Sequence, residues 1–192
     1  MQYKILGAAL LLAFYGCYFA KMAVQKKKGI ATDQMGKGKV GTAKTIEVTM
    51  KISTYLVPIT ECISIVLGTT ALPTGIRVLG ICIGAIGVAV FIVSAVTMRD
   101  SWRAGVSETD KTELVTNGIY QISRNPAFLG FDLVYMGILL MFFNWVLFLV
   151  SAFAAIMLHL QIVKVEEAFL LSAFGEEYQK YKKKVCRYVG RR

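Results

Sequence analysis

Residues 128–163 read FLGFDLVYMGILLMFFNWVLFLVSAFAAIMLHLQIV, an apolar stretch interrupted by Asp132, His159 and the single break Asn144. Asn144 divides it into two runs, 128–143 and 145–163, each close to the roughly 20 apolar residues that cross a hydrocarbon core. Two such runs with almost nothing between them form a helical hairpin in lipid. Outward from this hairpin, 5–20, 52–72 and 76–96 meet the same requirement. The 192 residues are 56% hydrophobic with a mean hydropathy of +0.57, well above the balance of soluble domains. The expected fold is therefore an all-α integral membrane protein of about five transmembrane helices, with a C-terminal interfacial helix.

The net charge of +10 does not imply nucleic acid here, because cytoplasmic loops of membrane proteins collect Lys and Arg. With the N-terminus outside, the segments 21–51 and 99–124 and the tail from Lys164 all face inward. Of 22 basic residues, only Lys4 and Arg77 then stay outside, so the expected orientation is N-out and C-in. The first run resembles a signal peptide in having Lys4 ahead of it, but Lys26, Lys27 and Lys28 follow it, which favours an uncleaved helix. Cys17, Cys62, Cys82 and Cys186 lack CxxC spacing and read as small packing residues, without a metal site or disulfide framework.

Two parts are expected along the chain: three spans with a basic cytoplasmic loop (21–51) over residues 1–98, and a cofactor-binding region over 99–192. The loop holds Gly36-Lys37-Gly38-Lys39-Val40-Gly41, a formal GxGxxG, but the strand that a dinucleotide site needs before it is missing. The loop is expected to touch anionic headgroups. From Glu166 to Tyr181, Phe169, Leu170, Ala173 and Phe174 recur at helical spacing among polar residues, as in a helix leaving the membrane along its interface.

Several groups could carry chemistry. Arg124-Asn125-Pro126 stands where an inner loop meets the fourth span, and a proline-led helix start offers N–H groups to an anion. An ordinary positive-inside anchor fits those residues equally well. Glu166 and Glu167 follow the fifth span and suit a cationic ligand, or are two solvated charges beside Lys164. Asp132 and Glu61, ionisable residues within spans, are functional candidates or interhelical partners. His159, seven residues before Glu166, falls on the same face of a regular helix and is a possible base, or makes one interhelical hydrogen bond.

Four blocks in order, Leu114-Val115-Thr116-Asn117-Gly118-Ile119-Tyr120, Arg124-Asn125-Pro126-Ala127-Phe128-Leu129-Gly130, Glu166-Glu167 and Phe174-Gly175-Glu176-Glu177-Tyr178-Gln179-Lys180-Tyr181, resemble the isoprenylcysteine carboxyl methyltransferase family and its phospholipid methyltransferase relatives. The likeness covers roughly residues 99 to 189. It implies a membrane-embedded, metal-free methyltransferase using S-adenosylmethionine, its active site on the cytoplasmic side and its lipophilic substrate entering from the bilayer. By this resemblance Leu114, Val115, Tyr120, Arg124, Asn125, Pro126, Phe128, Glu166, Glu167, Tyr178 and Tyr181 border the cofactor. Arg124, Glu167, Asp132 and His159 are the candidate catalytic residues. Prenylcysteine members carry His where this chain has Asn125, and an arginine where it has Ile162, which weakens a carboxylate substrate; a lipid amine or another small lipophile is the other acceptor class. Two other readings are a nicotinamide-dependent lipid or sterol reductase of related architecture, and a non-enzymatic transport module using Glu61 and Asp132.

Overall fold

The computed structural model describes residues 1–68, 70–105 and 113–191. Part of the expected inner loop, residues 106–112, lies outside the described residues. The described chain is helical, and its only β-structure is two isolated bridges, Asp33 with Ala104 and Val185 with Arg191. The helices are α1 (Gln2–Lys27), α2 (Gly41–Leu67), α3 (Thr74–Thr97), α4 (Pro126–Met141), α5 (Trp145–Leu160) and α6 (Glu167–Lys184). A π-helical turn, Gln161–Glu166, joins α5 to α6. Four helical stretches are long and apolar enough to cross a membrane, and α4 is a shorter apolar helix of 16 residues. The expected all-helical membrane fold is therefore observed.

Three boundaries differ from the hydropathy reading. The loop expected over 21–51 shrinks to 28–40, because α1 runs to Lys27 and α2 begins at Gly41. Hydropathy reports the solvent a residue prefers, and a helix can continue past the hydrocarbon on polar residues. α2 also stops at Leu67 rather than near residue 72, where Gly68 takes the left-handed conformation (φ 69°) that commonly terminates helices.

Lipid offers little hydrophobic drive between helices, so association rests on close packing. Glycines supply it between α3 and α4. A Cβ built on Gly137 would lie 2.6 Å from the Cα and N of Gly84, so the two backbones touch. Gly137→Val is expected to destabilise the bundle by at least about 1–3 kcal/mol, the usual range for overpacking; a melting temperature in detergent equal to wild type would contradict this contact. Aromatic rings fill the centre: Phe14 sits 4.8 Å from both Phe91 and Phe131, and Tyr18 packs edge-on against Trp102 at 5.5 Å.

The two ends of the bundle differ. At one, Lys4 donates to the Val66 carbonyl and Arg77 to that of Met141, two cations at helix C-termini where the dipole favours them. Asn144 there accepts from the Leu147 N–H and donates to Ser64, which caps α5 and makes the hairpin turn. The other end carries the remaining basic segments. Gln25 donates to the Trp102 carbonyl, Thr32 to Gln25, and Lys28 pairs with Asp100 at 2.9 Å. The polar end of α1 is thereby fastened to residues 99–105, which positions Trp102 and Arg103.

Candidate active site

At this basic end the turn Gly118–Gln121, the start of α4, the π turn and α6 enclose a cavity of about 140 Å³. Leu114, Val115, Tyr120, Arg124, Asn125, Phe128, Glu166, Tyr178 and Tyr181 all line it. The start of α4 and the exit of α5 therefore meet, as the site reading requires. Tyr120 is fixed at both ends: its hydroxyl pairs with Ser94 at 2.8 Å, and its carbonyl accepts from Tyr181 at 2.6 Å. Gly175 lets α6 bend around the cavity, because its φ of 49° and ψ of −120° break the helix in a region open to glycine.

The cavity shares Met98, Ser101, Arg103, Glu113, Leu114 and Val115 with an open polar groove of about 820 Å³. Ligand sites usually occupy roughly 300–1,000 Å³, so the enclosed part is one end of a larger site. On its other side it shares Trp102, Arg103, Gly105, Ala127 and Phe128 with an apolar cavity of about 510 Å³. That cavity runs between α1, α2, α4 and α5 along Leu11, Tyr15, Met50, Pro58, Phe131 and Leu158. A polar compartment and an apolar compartment thus abut at Trp102, Arg103 and Phe128.

The two adjacent glutamates have separate environments. Glu166 lines the cavity, three residues beyond the apolar run that ends at Val163. Burial, reinforced by the Glu47 charge and opposed by Lys39 and a hydrogen bond from Gln161, pushes its carboxyl up to about 7. Glu167 does not line the cavity. It is buried in a cluster of cations, with Arg187 at 2.7 Å, Lys182 at 2.9 Å and Arg124 at 3.1 Å. Burial alone would push its carboxyl up; hydrogen bonds from Arg187 and Lys182, with the Arg124 charge, outweigh that and hold it down at about 2.

Arg124 borders the cavity, but its guanidinium serves the protein. It donates to the Tyr178 hydroxyl at 2.7 Å and the Val185 carbonyl at 3.1 Å, besides pairing with Glu167. Asn125 donates to the Arg187 carbonyl at 3.0 Å. Arg124, Asn125 and Glu167 together latch the C-terminal segment onto the start of α4.

Other expected site residues fall elsewhere. Pro126, Asp132 and His159 are not among the residues lining either cavity. Pro126 is buried as the first residue of α4. His159 stacks on Tyr188 and meets its hydroxyl at 2.5 Å, and Asp132 lies within electrostatic reach of the same tyrosine. The π turn separates His159 from Glu166, since its wider helical period rotates the chain between the two and takes them off a common face. Glu61, fully buried in α2, has both carboxylate oxygens without a hydrogen-bond partner among the described residues. Trp102 and Arg103, which no motif singled out, line the cavity because tertiary contacts bring residues 99–105 against α1, and Glu113, whose N–H donates to Ser101, joins them there.

The profile of the phospholipid methyltransferase family matches residues 76–177, a stretch that takes in nearly all of α3 and the first three blocks and ends within the fourth. The protein-S-isoprenylcysteine O-methyltransferase of Schizosaccharomyces pombe is 38% identical over 72 residues, which is 38% of this chain and 30% of that relative's length. More than half of the chain thus falls within one family profile.

Proposed function

The chain belongs to the phospholipid methyltransferase family, and from that premise we propose that it transfers a methyl group from S-adenosylmethionine to a lipophilic acceptor, on the cytoplasmic side of a membrane. The observation that carries this reading is the abutment of a polar and an apolar compartment at Trp102, Arg103 and Phe128. A reaction between a polar donor and a lipid needs both reactants held at one wall, and such positioning supplies up to roughly 7–11 kcal/mol of the acceleration.

The residues present fit the donor. Glu166, a cavity-lining carboxylate, suits its ammonium or ribose hydroxyls, Arg103 suits its carboxylate, and Tyr120, Phe128 and Phe174 offer aromatic faces to the base. When bound, the cofactor supplies an electrophilic methyl carbon on a positive sulfur. The methyl group would pass to the acceptor's lone pair as the carbon–sulfur bond breaks, and the donor would leave as a neutral thioether. Trp102 and Phe128 keep water from the junction, and Tyr178 and Tyr181 close the far side. A carboxylate or thiolate acceptor needs no base. For an ammonium acceptor, Glu113 and Glu166 are, among the described residues, the carboxylates lining the cavity that would take the proton.

Calorimetry of the detergent-purified chain with S-adenosylmethionine is expected to give saturable binding. A methyl-labelled assay on total lipid extract is then expected to label a lipophilic product. Absence of binding at millimolar cofactor, or saturable binding of a nicotinamide dinucleotide instead, would overturn the proposal.

A further inference from the structure

The Gly36–Gly41 segment has no role in the chemistry above, yet it holds a buried charge pair. Lys39 pairs with Glu47 of α2, their side chains 7% and 0% exposed. Burying two charges is costly unless hydrogen bonds satisfy what remains. The Gly36 N–H donates to Glu47 Oε2 at 2.6 Å and Gln161 Nε2 donates to Oε1 at 3.1 Å. The glycine is needed for this approach: its φ is 75°, and a Cβ there would meet Val48 Cγ2 at 2.9 Å. Gln161 opens the π turn that Glu166 closes, so the network ends one turn away from the cavity carboxylate. Inserted π turns recur at functional sites because they re-aim side chains.

We infer that Lys39, Glu47 and Gln161 are positioning residues that hold Glu166 and set its protonation state, which makes the loop between α1 and α2 part of the donor site. This inference rests on the reading of Glu166 as a ligand of the donor. The groups facing Glu166 are Glu47 and Lys39 from α2 and its loop, Gln161 from its own turn, Tyr120 from the turn before α4 and Tyr178 from α6. Arg103, Glu113 and Arg124 line the same cavity. Lys39 and Glu47 act on Glu166 with opposite sign, the cation favouring its ionised form and the carboxylate opposing it.

The test is an infrared titration of the protonated-carboxyl band in the full chain, with Glu166→Gln assigning the band. Glu47→Gln is expected to lower the midpoint by about one pH unit. Lys39→Met is expected to raise it by a similar amount. The double variant returns toward wild type, and Lys39→Arg leaves the midpoint in place. Should the charge variants fail to fold, Gln161→Leu, which removes the hydrogen bond to Glu47 and no charge, is expected to move the midpoint. Single variants moving in the same direction, a double variant that does not return, or an unmoved Gln161→Leu would overturn the inference. Calorimetry separates it from the parent reading: midpoint shifts without changed affinity for S-adenosylmethionine overturn the positioning role, whereas a wild-type chain that binds no S-adenosylmethionine overturns the function itself.

Discussion

Glu167→Ala is expected to cost about 3–5 kcal/mol of stability, the usual penalty for removing one partner of a buried ion pair, and to release the segment after α6. The carboxylate is the shared counter-charge of Arg124, Lys182 and Arg187. Without it the Arg124 guanidinium, 5% exposed, stays buried among cations. Against a total stability of roughly 5–15 kcal/mol the loss is large, and proteolysis near Val185 should report it before global unfolding. Acid should act in the same way. The folded carboxyl is held down at about 2, below its unfolded value of about 4.3. The latch's contribution is therefore complete above that unfolded value and is lost as pH falls toward 2. A chain whose tail stays protected from protease in the variant, or is equally protected at pH 5 and pH 2, would contradict the latch.

Glu166→Gln is expected to leave the fold intact and weaken donor binding roughly 10- to 100-fold, as loss of a charged hydrogen bond worth about 1.5–3 kcal/mol requires. Because burial pushes the carboxyl up to about 7, the affinity of the unmodified chain should fall as pH drops through that value and the side chain takes up a proton. The glutamine variant should show a flat profile over the same range. Calorimetry at several pH values checks both. Equal affinities at neutral pH, or an unchanged pH dependence in the variant, would remove Glu166 from the donor site.

These two neighbours show how far residue order alone can be trusted. Glu166-Glu167 read on its own as two solvated charges or as partners of a cationic ligand, and only the resemblance pointed to the second. Which one faces the cavity was not legible. That depends on the extra residue per turn of the π segment, and nothing in the local composition of QIVKVE announces it. Arg124 is a similar case. Its place beside a helix start was readable, but its engagement by Glu167, Tyr178 and Val185 depends on residues 43 to 61 positions away.

Hydropathy in single runs was enough to read the all-helical membrane fold and the hairpin at Asn144. Every backbone group in hydrocarbon must be satisfied within its own segment, so an apolar run of that length has few alternatives to a helix. The four blocks similarly marked which stretches form one cavity. What the tertiary structure decided was everything set by contacts across the chain: the extension of α2 to Gly41 that carries Glu47 toward Gln161, the seating of Trp102 and Arg103 between two cavities, and the removal of His159 and Asp132 from both. Those outcomes turn on packing and charge pairing between segments distant in sequence, whose energies do not exist until the segments meet.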